Sequence, residues 1–156
     1  MKISEVLSSK ACSIDLRGRN KKEIIEELVE VLIDSGGLEK KNKSKVAEVL
    51  MAREALGSTA IGQGIAIPHG KSDATKKLIG CLGIHQNGIP FDALDGEAVY
   101  IFFLLVAPID SAGPHLKALA RISRLLKDKF FRDSLRAAKD AKMLMKLIEQ
   151  EDAQLA

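Results

Sequence analysis

The chain has 156 residues, 46% apolar and 29% charged, with a formal net charge of +3. That is enough for one domain over residues 1–156, whose core needs neither disulfides nor metal. So small a net charge argues against nucleic acid as a partner, and the densest basic run (Lys40, Lys41, Lys43, Lys45) has no interleaved aromatics, so it reads as a solvated loop or helix face.

Cys12 and Cys81 lie far apart without CxxC spacing, so they signal neither a zinc site nor a redox pair. They read as small buried hydrophobes in a reducing compartment. The N-terminus lacks the apolar stretch of a signal peptide. The longest apolar run, 100–108, is about half of what a membrane helix needs. A cytoplasmic protein with no membrane insertion is expected.

Residues 20–35 read as an amphipathic helix, with Ile24, Ile25, Leu28, Val31 and Leu32 at helical spacing. Asn20 and Glu23 form a capping-box pattern, and Gly36-Gly37 supplies the stop. A second helix is predicted over 43–55, with Val46, Val49 and Leu50 on one face. The small-residue stretch from Gly57 to Gly64 reads as a loop. It feeds a short strand, Ile65-Ala66-Ile67, that stops at Pro68 and would present His69 at its C-terminal tip.

Residues 78–85 form a second strand candidate, followed by a short loop at Gln86-Asn87-Gly88. The run from Ala98 to Val106 is continuously apolar, as expected of a central strand buried on both faces. After Pro114 the period is helical again, with Leu116, Leu119, Ala120, Ser123 and Leu126 on one face and Ile122 and Leu125 widening it. Asp128 and Asp140 read as N-caps of two further helices, the last carrying Met143, Leu144, Leu147 and Ile148. Helices at both ends with strands between them predict a three-layer α/β domain, a mixed sheet flanked by helices on both sides.

Three histidines differ in setting. His69 follows a proline, precedes Gly70 and Lys71, and comes just after the glycine-rich stretch. A lone loop histidine is often structural, but a neutral imidazole is also the natural nucleophile near pH 7. Proline stiffens the approach to it, and glycine leaves room for a reacting partner.

The stretch with Ser58, Thr59, Gly62 and Gly64 offers hydroxyls and backbone N–H groups for an anion, or is simply a flexible turn. It is neither a Walker loop nor a dinucleotide fingerprint. His115, at a helix start, can donate to a phosphoryl oxygen or merely pack at the surface. Arg53 matches phosphate geometry, or is a surface arginine. His85 has no companions and reads as structural or exposed. Neither HxxxH nor HExxH occurs, so metal is not signalled, and no GxSxG marks a serine hydrolase.

Arg53-Glu54, Gly57-Ser58-Thr59 and the segment Gly62-x-Gly64-Ile65-Ala66-Ile67-Pro68-His69-Gly70-Lys71 together resemble the fructose/mannitol-type enzyme IIA domains of the bacterial phosphoenolpyruvate-dependent phosphotransferase system. So do Ile89 to Val99, the apolar strand ending at Pro108, and His115-Leu116. The resemblance covers nearly the whole chain. It implies a mixed sheet flanked by helices and phosphorylation of His69 at Nε2 by the phosphocarrier HPr or its nitrogen-branch counterpart. It places His115 and Arg53 beside the phosphoryl group, with the Ser58–Thr59 loop near it, and it implies no cofactor.

A chain of this kind is most similar to the nitrogen-regulatory IIA proteins, whose phosphorylation state regulates target proteins. The sugar-specific reading, with transfer to a separate IIB component, stands as an alternative. A phosphotransfer-inactive binding module is a second.

Overall fold

A computed structural model describes residues 1–155. After two short turns, strand β1 (Cys12–Ser13) leads into helix α1 (Lys21–Asp34), and helix α2 (Lys43–Ala55) follows. Then come strands β2 (Ala60–Gly62), β3 (Ile65–Ala66), β4 (His69–Lys71), β5 (Ile79–Ile89) and β6 (Val99–Ala107). Helices α3 (Ala112–Leu125), α4 (Lys129–Arg136) and α5 (Ala141–Gln154) complete the order.

The expected helix caps form through local hydrogen bonds. Asn20 Oδ1 accepts from Glu23 N at 2.9 Å, but the Glu23 carboxylate returns to the amide of Arg19 rather than to that of Asn20. The reciprocal half of the capping box is thus displaced by one residue. Asp128 accepts from Phe131 N and Asp140 from Met143 N, so both terminate orphan amides of the following helix. In the lysine run, Lys41 pairs with Glu39, Lys43 with Glu30 and Lys45 with Asp73, as a solvated face would.

The sheet is mixed, in the order β1-β5-β6-β3-β2, with β4 also paired to β6. Strand β6 is its centre, buried at every position but Tyr100, and takes β5 antiparallel on one side and β3 and β4 parallel on the other. Its uninterrupted apolar run follows from burial on both faces. Cys81 Sγ meets the Leu28 carbonyl of α1, and a Cβ at Gly70 would fall 2.8 Å from Val49 of α2, so α1 and α2 cover one face. His69, on the opposite side of β4 from Gly70, meets His115 of α3, and α4 packs on β5 and β6. Helices therefore flank both faces, as the alternation of elements predicts.

Three local expectations in the strand region are corrected. The 57–64 stretch is not all loop, since residues 60–62 pair antiparallel with β3 as β2. Pro68 does not end the strand region but divides it. Lacking an N–H, it separates the pairing of β3 with β6 from that of β4 with β6, while its carbonyl still accepts from Leu105 N at 2.9 Å. Gln86-Asn87-Gly88 lies inside β5, where the register with β6 shifts between Ile84 and Ile89 instead of turning.

The buried face of α3 is His115, Ala118, Ile122 and Leu125, continued by Leu126 at its C-cap. Leu116, expected inside, is 67% exposed. The helix also begins two residues before Pro114. The buried stripe is thus rotated from the expected one, with His115 taking an inward position that the periodic pattern left to Leu116.

Candidate functional site

The site is built where β3 gives way to β4. Register places His69 opposite Leu105 of β6, one residue beyond Pro68. Gly70 lets α2 approach closely, because any side chain there would collide with Val49. The His69 ring folds back on its own chain, Nδ1 lying 2.8 Å from the Ile67 carbonyl oxygen. A carbonyl can only accept, so Nδ1 carries the proton and Nε2 of the neutral ring carries the lone pair. The backbone therefore selects the tautomer whose free nitrogen faces away from the main chain.

His115 meets His69 edge to face, with centroids 5.4 Å apart and planes at 74°. It is buried, and its Nε2 has no hydrogen-bond partner among the described residues. Burial, then the neighbouring His69 and Lys71, hold its pKa below the ordinary histidine value. The charged form of His115 is thus disfavoured, and one of its ring nitrogens is unspent.

Arg53 ends α2, one helical turn beyond Val49, and its Nη1 donates to the Gly57 carbonyl at 2.7 Å. Among the described residues it hydrogen-bonds neither imidazole, and its remaining N–H groups are unengaged. Thr59 O accepts from Ile67 N, which sets Ser58 and Thr59 at the His69 end of β2. Their hydroxyls, however, are committed to the fold. Ser58 Oγ donates to the Phe91 carbonyl, and Thr59 Oγ1 donates to Glu54 Oε2.

Gly62 and Gly64 are not brought to the histidines. They flank the turn preceding Ile65, whose partner Ile101 lies four residues, roughly 13 Å, along β6 from Leu105. The Asp95 carboxylate accepts from Gln63 N at 2.9 Å in that turn, so this amide is already spent within the fold.

The support of the site runs through residues to which the sequence reading assigned no role. Glu54, 5% exposed, accepts from both the amide and hydroxyl of Thr59 and pairs with Lys21 at 3.3 Å. Lys21 also reaches Asp92 at 3.1 Å and lies over the Phe91 ring. The signal for Glu54 was present: Val46, Leu50 and Glu54 recur every fourth residue, so the buried stripe of α2 runs straight onto a carboxylate. His85 is buried, with Nε2 3.0 Å from the Gly18 carbonyl, as its structural reading expected. Burial pushes the Cys12 thiol up to about 12 and raises that of Cys81 as well, so both are held as inert thiols. Among the described residues no cluster of three metal-ligating side chains occurs, and no helix is long and apolar enough to cross a membrane.

A mixed sheet thus sets a tautomer-selected histidine against a second, buried one. The chain belongs to the phosphoenolpyruvate-dependent sugar phosphotransferase system EIIA 2 family, whose model matches residues 5–151. It is 38% identical over 148 residues to a nitrogen regulatory protein of Bradyrhizobium diazoefficiens, covering 95% of each chain. It is 32% identical to the fructose-specific EIIABC component of Bacillus subtilis, spanning 97% of this chain but 24% of that protein. The crystal structure of nitrogen regulatory protein IIA-Ntr from Neisseria meningitidis superposes with a TM-score of 0.84 at 32% identity, covering 94% of this chain and 98% of that one.

Proposed function

We propose that His69 accepts a phosphoryl group on Nε2 from a phosphohistidine of HPr or its nitrogen-branch counterpart, and that the phosphorylation state then regulates partner proteins. The hydrogen bond from His69 Nδ1 to the Ile67 carbonyl carries this reading, since it leaves Nε2 as the unshared lone pair. Nε2 attacks phosphorus in line, the N–P bond to the donor histidine breaks, and the donor imidazole departs with that electron pair. Negative charge on the equatorial oxygens is met by His115, whose buried Nε2 is unpaired, and by the unengaged N–H groups of Arg53. Both nitrogen–phosphorus bonds are of one kind, so transfer is reversible.

The donor docks on the apolar rim of the site. Leu116, next to His115, is 67% exposed, and Ile109, just beyond the end of β6, is 60% exposed. Isolated residues of this kind need no explanation, but a pair beside a reactive histidine suits a partner protein. The regulatory branch is favoured by likeness to nitrogen regulatory proteins over 95% of both chains. The sugar-specific reading, in which a IIB component takes the phosphoryl group, is supported by the likeness to the fructose component.

The test is intact-mass analysis after incubation with phosphoenolpyruvate, enzyme I and HPr, or the nitrogen-branch donors. The expected result is one acid-labile phosphoryl group on the wild type and none on His69→Ala. Absence of added mass with both donor sets would overturn the carrier reading and favour a binding module.

A further inference from the structure

We propose that a cleft between α4 and the Gly62–Gly64 turn is a binding site for a small phosphate dianion, separate from the histidine pair. The cleft holds about 200 Å³, and Lys129, Arg132 and Arg136 of α4 line it opposite Tyr100, Gln63 and Gly64. One carboxylate, Asp133, also faces it, and Lys129 already pairs with that group at 2.9 Å. The lining therefore carries three positive charges against one negative.

The two arginines are held ready. The Arg136 guanidinium lies 3.6 Å from the centre of the Tyr100 ring and makes no hydrogen bond among the described residues. Stacking fixes its plane while leaving its N–H groups free for a ligand. Arg132, one turn earlier, is anchored by Nη1 on the carbonyls of Leu126 and Lys127, at 3.1 and 2.6 Å. Its other nitrogens have no partner among the described residues. Planar guanidinium groups one helical turn apart match the oxygens of a phosphate better than they match chloride or a monocarboxylate.

The platform beneath Arg136 is itself built. Tyr100 N and Ile101 N both donate to the Gly64 carbonyl, the bulge pattern that turns two successive residues toward one side. Both line the cleft. A Cβ at Gly88, where φ is 74°, would fall 2.6 Å from the Tyr100 ring, so only glycine lets the ring lie there. The volume lies below the roughly 300–1,000 Å³ of pockets that take drug-sized molecules, which selects a phosphate on a short carbon chain or free phosphate. Register puts the cleft at the Ile101 end of β6, away from the Leu105 end that holds His69.

The test titrates the full chain with inorganic phosphate and, separately, 3-phosphoglycerate, at an ionic strength held constant with sodium chloride, and reads amide shifts by NMR. Saturable shifts at Gln63, Gly64 and Tyr100 are expected. Response to both probes marks recognition of phosphate itself, and response to 3-phosphoglycerate alone marks a phosphorylated short-chain ligand. Arg136→Gln weakens binding about tenfold and Lys129→Gln less, while Asp133→Asn, which removes the opposing carboxylate, tightens it about threefold. The rate of His69 phosphorylation is unchanged in Arg136→Gln. Shifts confined to His69 and His115, no saturation with either probe, or unaltered affinity in folded Arg136→Gln and Lys129→Gln would overturn the proposal.

Discussion

The Ile67 carbonyl oxygen lies 2.8 Å from Nδ1 of His69, two residues along the same chain. That contact spans Pro68, whose fixed φ holds the backbone while the ring folds back onto it. A single backbone acceptor thereby decides which imidazole nitrogen keeps its lone pair. A histidine free to exchange tautomers would present Nε2 only part of the time.

Removing His115 tests charge stabilisation without removing the nucleophile. His115→Ala lowers the phosphorylation rate by about 10²-fold, the usual effect of losing one donor to developing charge. Rapid-quench kinetics with a phosphorylated donor measure this, and a rate equal to wild type would rule the role out.

The low pKa of His115 has a consequence for stability. Its folded value lies below its unfolded one, near 6.5, so below that pH the unfolded chain binds a proton that the native chain resists. The native state accordingly loses stability as pH falls through about 6.5 toward the depressed value. Urea denaturation at a series of pH values is expected to show this loss in wild type and a smaller one in His115→Gln. Parallel pH profiles would contradict it.

Glu54 and Thr59 form a buried pair at the base of the site. Thr59→Val keeps the shape but strips the carboxylate of its hydroxyl donor, leaving Glu54 with Thr59 N and Lys21. A destabilisation of about 1–3 kcal/mol is expected from the urea midpoint. Thr59→Ser, which retains the hydroxyl, recovers most of it.

Gly70 is a spacing residue rather than a flexible one. In Gly70→Ala the new methyl group meets Val49 and must push α2 away from β4. A loss of about 1–3 kcal/mol follows from overpacking, with slowed phosphorylation because His69 is the adjacent residue. The double variant Gly70→Ala/Val49→Ala restores stability if that collision is the cause, and calorimetry of the three proteins decides.

Much of this fold is legible in the chain because the bonds that form it are local. Asn20, Asp128 and Asp140 cap helices through amides three residues away, so composition over one turn suffices to place those starts. The apolar run of β6 declares a central strand for a similar reason, since burial on both faces admits few polar residues. His69 stands out through its immediate neighbours and through the resemblance they carry.

What only the tertiary structure decided are relations between distant segments. Gly57–Gly64 is one loop by composition, yet pairing with β3 splits it, leaving Ser58 and Thr59 at the histidine end and carrying Gly62 and Gly64 to the other. Gln86-Asn87-Gly88 has turn composition, and continues as strand because β6 offers it a partner. The inward face of α3 includes His115 and excludes Leu116, a rotation set by what the sheet presents and not by the helix's own periodicity. Local hydrogen bonds are written in neighbouring residues, whereas burial and pairing depend on surfaces assembled from the whole chain.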